Sequence, residues 1–85
     1  MKRKRQERTT IFDEKGLRAF AEQLKKVRKE QGYSQEKLSD KSGITLSQIA
    51  RIETIKINPS LSTVFALARA MNISLPELFD FKLPK

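Results

Sequence analysis

The apolar positions of this chain fall at helical spacing over most of its length. Leu17, Phe20, Ala21, Leu24 and Val27 make one stripe, with Lys25, Lys26 and Lys29 pointing away from it. They predict a first helix from about Asp13 to Gln31. Gly32 stands where glycine commonly ends a helix, and Gly16 weakens the first turn, so that end is expected to fray. Between Gln35 and Thr54, the residues Leu38, Ile44, Ile49 and Ile52 recur as one apolar seam folded over Ser42-Gly43-Ile44. This predicts two short helices joined by a tight turn. Ser39 is small where they would cross, and Gly43 sits where positive φ is cheap only for glycine. Leu61, Val64, Phe65, Ala68 and Met71 form a fourth stripe, and Asn72 can take a left-handed exit from it.

The helix starts share one grammar. Ser34 is placed to cap the second helix, with Tyr33 and Leu38 as a hydrophobic staple. Thr45 caps the third, Gln48 completing a capping box and Ile44 meeting Ile49. Ser74 caps a short fifth, with Glu77 as box partner and Ile73 against Leu78. Asn58-Pro59-Ser60 suits the opening of the fourth. Strand-like alternation is confined to the tail Phe79-Asp80-Phe81-Lys82-Leu83, and there is no internal repeat.

Composition narrows the chemistry. Eighty-five residues make one modest domain, with no room for a separate sensing or catalytic unit. The chain has no cysteine and no histidine, which removes thiolate and imidazole metal sites, disulfides, and the commonest general base. No metal or cofactor is expected. No apolar run approaches the roughly 18 residues of a membrane span and no signal peptide opens the chain, so a cytoplasmic protein with no membrane association is expected. The net charge is +8, and residues 1–8 contribute half of it, with five basic side chains against one acid. The chain therefore divides into a basic arm (1–12) expected to lack order, a helical domain (13–80), and a short tail (81–85). A polyanion such as double-stranded DNA is the natural counterpart of that charge, although a basic surface also serves solubility.

With Ile49 and Ile52 facing inward, the third helix turns Leu46, Ser47, Ala50, Arg51 and Thr54 outward. One exposed leucine and one charge among small residues is an unusual solvent face. Arg51 has no acid three or four residues away to pair with. Arginine bonds guanine bidentately and an apolar group meets the thymine methyl, so this face suits base edges; an ordinary surface with a stray leucine is the plainer alternative. Ser34 and Gln35 open the second helix, whose free amides and positive dipole end favour phosphate. Lys56 and Asn58, just after the third helix, are candidate second phosphate anchors. Arg28 lies on the apolar stripe of the first helix, a poor place for an arginine without a partner, and Glu53 lies at the edge of the inward face of the third.

The string Q-x-x-L-[small]-x-x-x-G-I-x-x-x-x-I-x-x-I-E from Gln35 to Glu53, with matching helices from about Phe20 to Phe79, resembles the lambda-repressor-like (Cro/XRE) helix-turn-helix family. The resemblance implies an all-α, compact five-helix fold with the helix-turn-helix at helices 2 and 3. It implies that Thr45, Leu46, Ser47 and Arg51 face DNA bases, that Gln35 contacts phosphate, and that Arg28 pairs with Glu53. Gln48 falls where capping competes with DNA contact, and the cap is favoured. Ile55 departs from the family, which commonly has glycine there. A β-branched residue is costly at positive φ, so the chain is expected to leave the third helix by another route.

The function implied is a sequence-specific transcriptional regulator, most simply a repressor on an inverted-repeat operator. Small phage-type repressors, restriction-modification controllers and antitoxins with a toxin partner share the same domain. A protein-interaction adaptor docking through the third-helix face is the alternative from another class, better suited to an acidic face than to Leu46 and Arg51. Catalysis is not expected, because the acids are scattered and no glycine-rich phosphate loop is present. Two recognition helices about one DNA turn apart would require a homodimer. Leu75, Leu78, Phe79, Phe81 and Leu83 are its candidate interface, through side-chain packing or a short extended tail; the same side chains can instead cap their own domain.

Overall fold

Each helix among the described residues begins on a side-chain oxygen. The computed structural model describes residues 11–85, and the arm predicted over 1–12 lies almost wholly outside them. Five helices follow in order: α1 (Glu14–Glu30), α2 (Gln35–Ser42), α3 (Leu46–Glu53), α4 (Leu61–Met71) and the single turn α5 (Leu75–Leu78). No strand occurs among the described residues. Ser34, Thr45, Ser60 and Ser74 cap α2 to α5, with full capping boxes at Thr45/Gln48 and Ser74/Glu77. Asp13 caps α1, its Oδ1 accepting from the Gly16 amide at 3.0 Å. Gly16, expected to loosen this turn, leaves the space the cap occupies: an added Cβ would lie 2.5 Å from Asp13 Oδ2.

The exits of α1, α3 and α4 share one hydrogen-bond pattern, a residue at positive φ donating back three positions and its successor donating back five. At Gly32 (φ 77°) the bonds run to Lys29 O (2.9 Å) and from Tyr33 to Arg28 O (3.0 Å). At Asn72 (φ 54°) they run to Arg69 O (3.0 Å) and from Ile73 to Ala68 O (3.1 Å). At Ile55 (φ 59°) they run to Ile52 O (3.2 Å) and from Lys56 to Arg51 O (2.8 Å). The expectation that Ile55 would avoid positive φ is therefore wrong. A left-handed β-branched residue costs about 1–2 kcal/mol, and the two hydrogen bonds together with the burial of Ile57 against the core offset it.

The core runs through all five helices: Phe20, Leu24 and Val27 from α1, Leu38 from α2, Ile44 from the turn, Ile49 and Ile52 from α3, Val64, Leu67, Ala68 and Met71 from α4, and Leu78 from α5. Helix α2 packs on α3 and α4, and α1 on α3 and α5. The register of α4 differs from the predicted stripe. Leu67 is fully buried, while Leu61 is 68% and Phe65 38% exposed. Among the described residues no helix is long and apolar enough to cross a membrane.

The tail differs from expectation as well. Leu78 is fully buried and belongs to the domain's own core, so it is not available to a partner. Phe79 sets its ring 5.4 Å from that of Phe20, and Phe81 lies 6.1 Å from Phe79, half-buried against the core. Beyond them, Lys15 Nζ donates to Lys85 O at 3.0 Å, so residues 79–85 fold back toward the start of α1. At this end of the domain Leu75 of α5 (40%), Phe79 (43%) and Leu83 (66%) stay exposed, as do Leu61 and Phe65 of α4; Ile11, Phe12 and Leu46 are the other large apolar side chains left outside among the described residues.

Candidate nucleic-acid interface

Helices α2 and α3 meet at a turn whose geometry is fixed from both sides. Gly43 takes φ 79° and donates to Ser39 O at 2.9 Å. The peptide groups of Ile44 are then engaged by two serines: its N–H donates to Ser42 Oγ at 3.1 Å, and its carbonyl accepts from Ser39 Oγ at 2.6 Å. Ile44 itself is buried, and Thr45 follows at once as the cap of α3.

Helix α3 presents Thr45, Leu46, Ser47 and Arg51 on its exposed side, the first three in its opening turn and Arg51 one turn on. Leu46 is 42% exposed, and Arg51 makes no ion pair among the described residues. Two of the outward hydroxyls are turned back to the helix. Thr45 Oγ1 accepts from the Gln48 amide at 3.1 Å, and Thr54 Oγ1 donates to Ala50 O at 2.8 Å. The capping box uses only Gln48 Oε1, which accepts from Thr45 N at 3.4 Å. The carboxamide N–H₂ of this exposed residue stays available as a donor in the same turn as Leu46 and Ser47, so capping and DNA contact do not compete for Gln48. Glu36 and Asp40 of α2 border Leu46 as well, an acidic edge that their four-residue spacing on α2 signals in the sequence.

The buried side of α3 carries the polar anchor of the domain. Arg28 Nε donates to Glu53 Oε2 at 2.7 Å and its Nη2 to Oε1 at 3.0 Å, a bidentate pair with both side chains at or below 9% exposure. Arg28 Nη1 donates to Tyr33 O at 2.8 Å, and Gln35 Nε2 donates to Glu53 Oε1 at 2.9 Å. No buried side-chain nitrogen or oxygen among the described residues lacks a partner. Gln35, read as a phosphate contact, is thus half-buried and held by Glu53, with one amide hydrogen left over. Ser34 Oγ accepts from the Lys37 amide at 3.0 Å, and Lys37 Nζ stands 5.2 Å over the Tyr33 ring. Lys56 is exposed. Asn58, at the other end of that loop, donates to Ile11 O at 3.4 Å.

Known proteins are similar to this chain in sequence and in fold. A helix-turn-helix family model matches residues 24–78. The HTH-type transcriptional regulator PuuR of Escherichia coli (strain K12) is 38% identical over 69 residues, 81% of this chain but only 37% of its own length. Control protein C.SmaI of Serratia marcescens is 38% identical over 59 residues, covering 69% of this chain and 70% of that protein. The crystal structure of the restriction-modification controller protein C.AhdI from Aeromonas hydrophila superposes with a TM-score of 0.71 at 36% identity, over 74% of this chain and 96% of that one. Fold, turn and sequence together place this chain in the lambda-repressor-like helix-turn-helix family of DNA-binding domains.

Proposed function

We propose that this protein is a transcriptional regulator that reads a specific duplex sequence with α3 in the major groove. The observation that carries this is the exposed face of α3, which presents Leu46, Ser47 and the Gln48 amide in its first turn and Arg51 one turn on, without an ion pair among the described residues. Arg51 supplies a bidentate guanine contact and Leu46 an apolar one to a thymine methyl. Ser34, the spare Gln35 hydrogen and Lys56 position the domain on backbone phosphates without reading sequence, and the basic residues 1–8 add an electrostatic share. The working unit is a homodimer on an inverted repeat, acting in the cytoplasm as a repressor by occluding a promoter. Its adhesive is the exposed apolar surface of Leu75, Phe79 and Leu83, continued by Leu61 and Phe65.

The test is fluorescence anisotropy of the full chain with the promoter duplex upstream of its own gene and with random duplex of the same length. Tighter binding to the promoter duplex by at least about tenfold is expected. Equal binding to both would reduce the protein to a sequence-indifferent DNA binder, and no binding to either would favour a protein-docking adaptor. A restriction-modification controller is the second reading. It is favoured by the match over 96% of C.AhdI, and it predicts that the bound promoter also precedes a restriction or modification gene.

A further inference from the structure

The turn between α2 and α3 holds a hydrogen-bonded unit that neither capping nor core packing requires. Ser39 Oγ donates to the Ile44 carbonyl at 2.6 Å, and Ser42 Oγ accepts from the Ile44 amide at 3.1 Å. Both serines belong to α2, and all three residues are half-buried or buried. The backbone of Ile44 is therefore gripped at both ends by the helix that precedes it, and the next residue, Thr45, starts α3.

We infer that Ser39 and Ser42 are positioning residues that set the angle of α3 for base reading. This rests on the sequence-specific reading above. An eight-residue helix is about 12 Å long, so a tilt of 10° about its first residue displaces its far end by about 2 Å. Base contacts tolerate displacements of only about 0.5 Å, whereas phosphate contacts supply affinity over a broad range of poses. A loosened clamp thus costs discrimination before it costs general DNA affinity. Ile44 and Gly43 fix where the chain turns; the two hydroxyls fix how far it opens.

The experiment compares wild type with Ser39→Ala, Ser39→Cys (equal in size, a weak donor) and Ser42→Ala. Each protein binds the strongest duplex recovered from a randomised pool by the wild type, and random duplex. Amide hydrogen exchange at residues 44–48 is followed in the free proteins. Loss of one such hydrogen bond is expected to weaken binding to the selected duplex about three- to tenfold and to leave random-duplex binding within about twofold. Exchange at Ile44, Thr45 and the first turn of α3 should accelerate while the rest of the domain keeps its protection. Ser39→Cys should follow Ser39→Ala. An unchanged ratio of selected to random affinity overturns the inference whatever the thermal midpoint does, since the serines would then serve stability alone. If the wild type itself recovers no preferred duplex, sequence-specific reading fails on its own account. Exchange then judges the clamp separately: unchanged rates in all three variants would show that the hydroxyls do not hold the turn.

Discussion

Arg28 grips both carboxylate oxygens of Glu53 across 25 positions of sequence, and the two charges are buried together between α1 and α3. Removing one member strands the other in the core, with Gln35 and the Tyr33 carbonyl losing a partner besides. Arg28→Ala or Glu53→Ala should each cost about 3–5 kcal/mol, a large part of the total stability of a small domain. Replacing both with apolar residues, Arg28→Met with Glu53→Leu, should recover much of that loss. Thermal or urea melts of the two singles and the double decide it. Singles that melt with the wild type would mean the pair carries no stability.

Arg51→Ala should weaken binding to the preferred duplex by about 1–3 kcal/mol and scarcely affect random duplex, as expected for a side chain that reads a guanine. Anisotropy titrations at one fixed salt concentration make the comparison. Equal losses on the two duplexes would demote Arg51 to a phosphate contact.

Leu61→Glu and Leu75→Glu should each convert a dimer to a monomer while leaving the fold intact, because both side chains point away from the core. Phe81→Glu is a poorer probe than sequence alone would choose, since Phe81 is half-buried against its own domain. Sedimentation of the free protein at tens of micromolar reads the result. A wild-type monomer would confine dimerisation to DNA, and mutants that still dimerise would move the interface elsewhere.

Deleting residues 1–8 removes five basic side chains and one acid. Affinity for every duplex should fall, and the slope of log affinity against log salt should flatten, because fewer counterions are released. A slope identical to that of the full chain would leave the arm a solubilising tail.

What was legible in the sequence followed from short-range chemistry. Ser34, Thr45 and Ser74 announce helix starts because a cap depends on a side chain and an amide three residues away. Gly32 and Asn72 announce exits for the same local reason. The α4 register was harder: Leu61 and Leu67 have equal hydropathy, and only the packing of α4 on α2 decides that Leu67 goes inside. For Leu78 the sequence left interface and own-domain cap both open, and only the packing of α5 on α1 and α4 decides for the second. At the DNA-facing surface the residue types were readable, but the division of labour within a side chain was not. The two ends of the Gln48 carboxamide face different tasks, and Gln35 is claimed by Glu53 from a helix that arrives later in the chain.

The exit at Ile55 has a consequence for how the DNA-facing surface comes apart. Nothing in Thr54-Ile55-Lys56 forbids another helical turn; isoleucine and lysine both accept helical φ far more readily than φ 59°. The stop is imposed from downstream, where Ile57 is drawn into the core and Pro59 keeps Asn58 out of the helical region. Without that downstream anchor the helical turns could run on past Thr54 and carry Ile55 and Lys56 round the helix. The length of the reading head is thus a property of the whole domain, so any loosening around Ile57 blurs the far edge of the surface first, next to Arg51, while the capped end at Thr45 keeps its place.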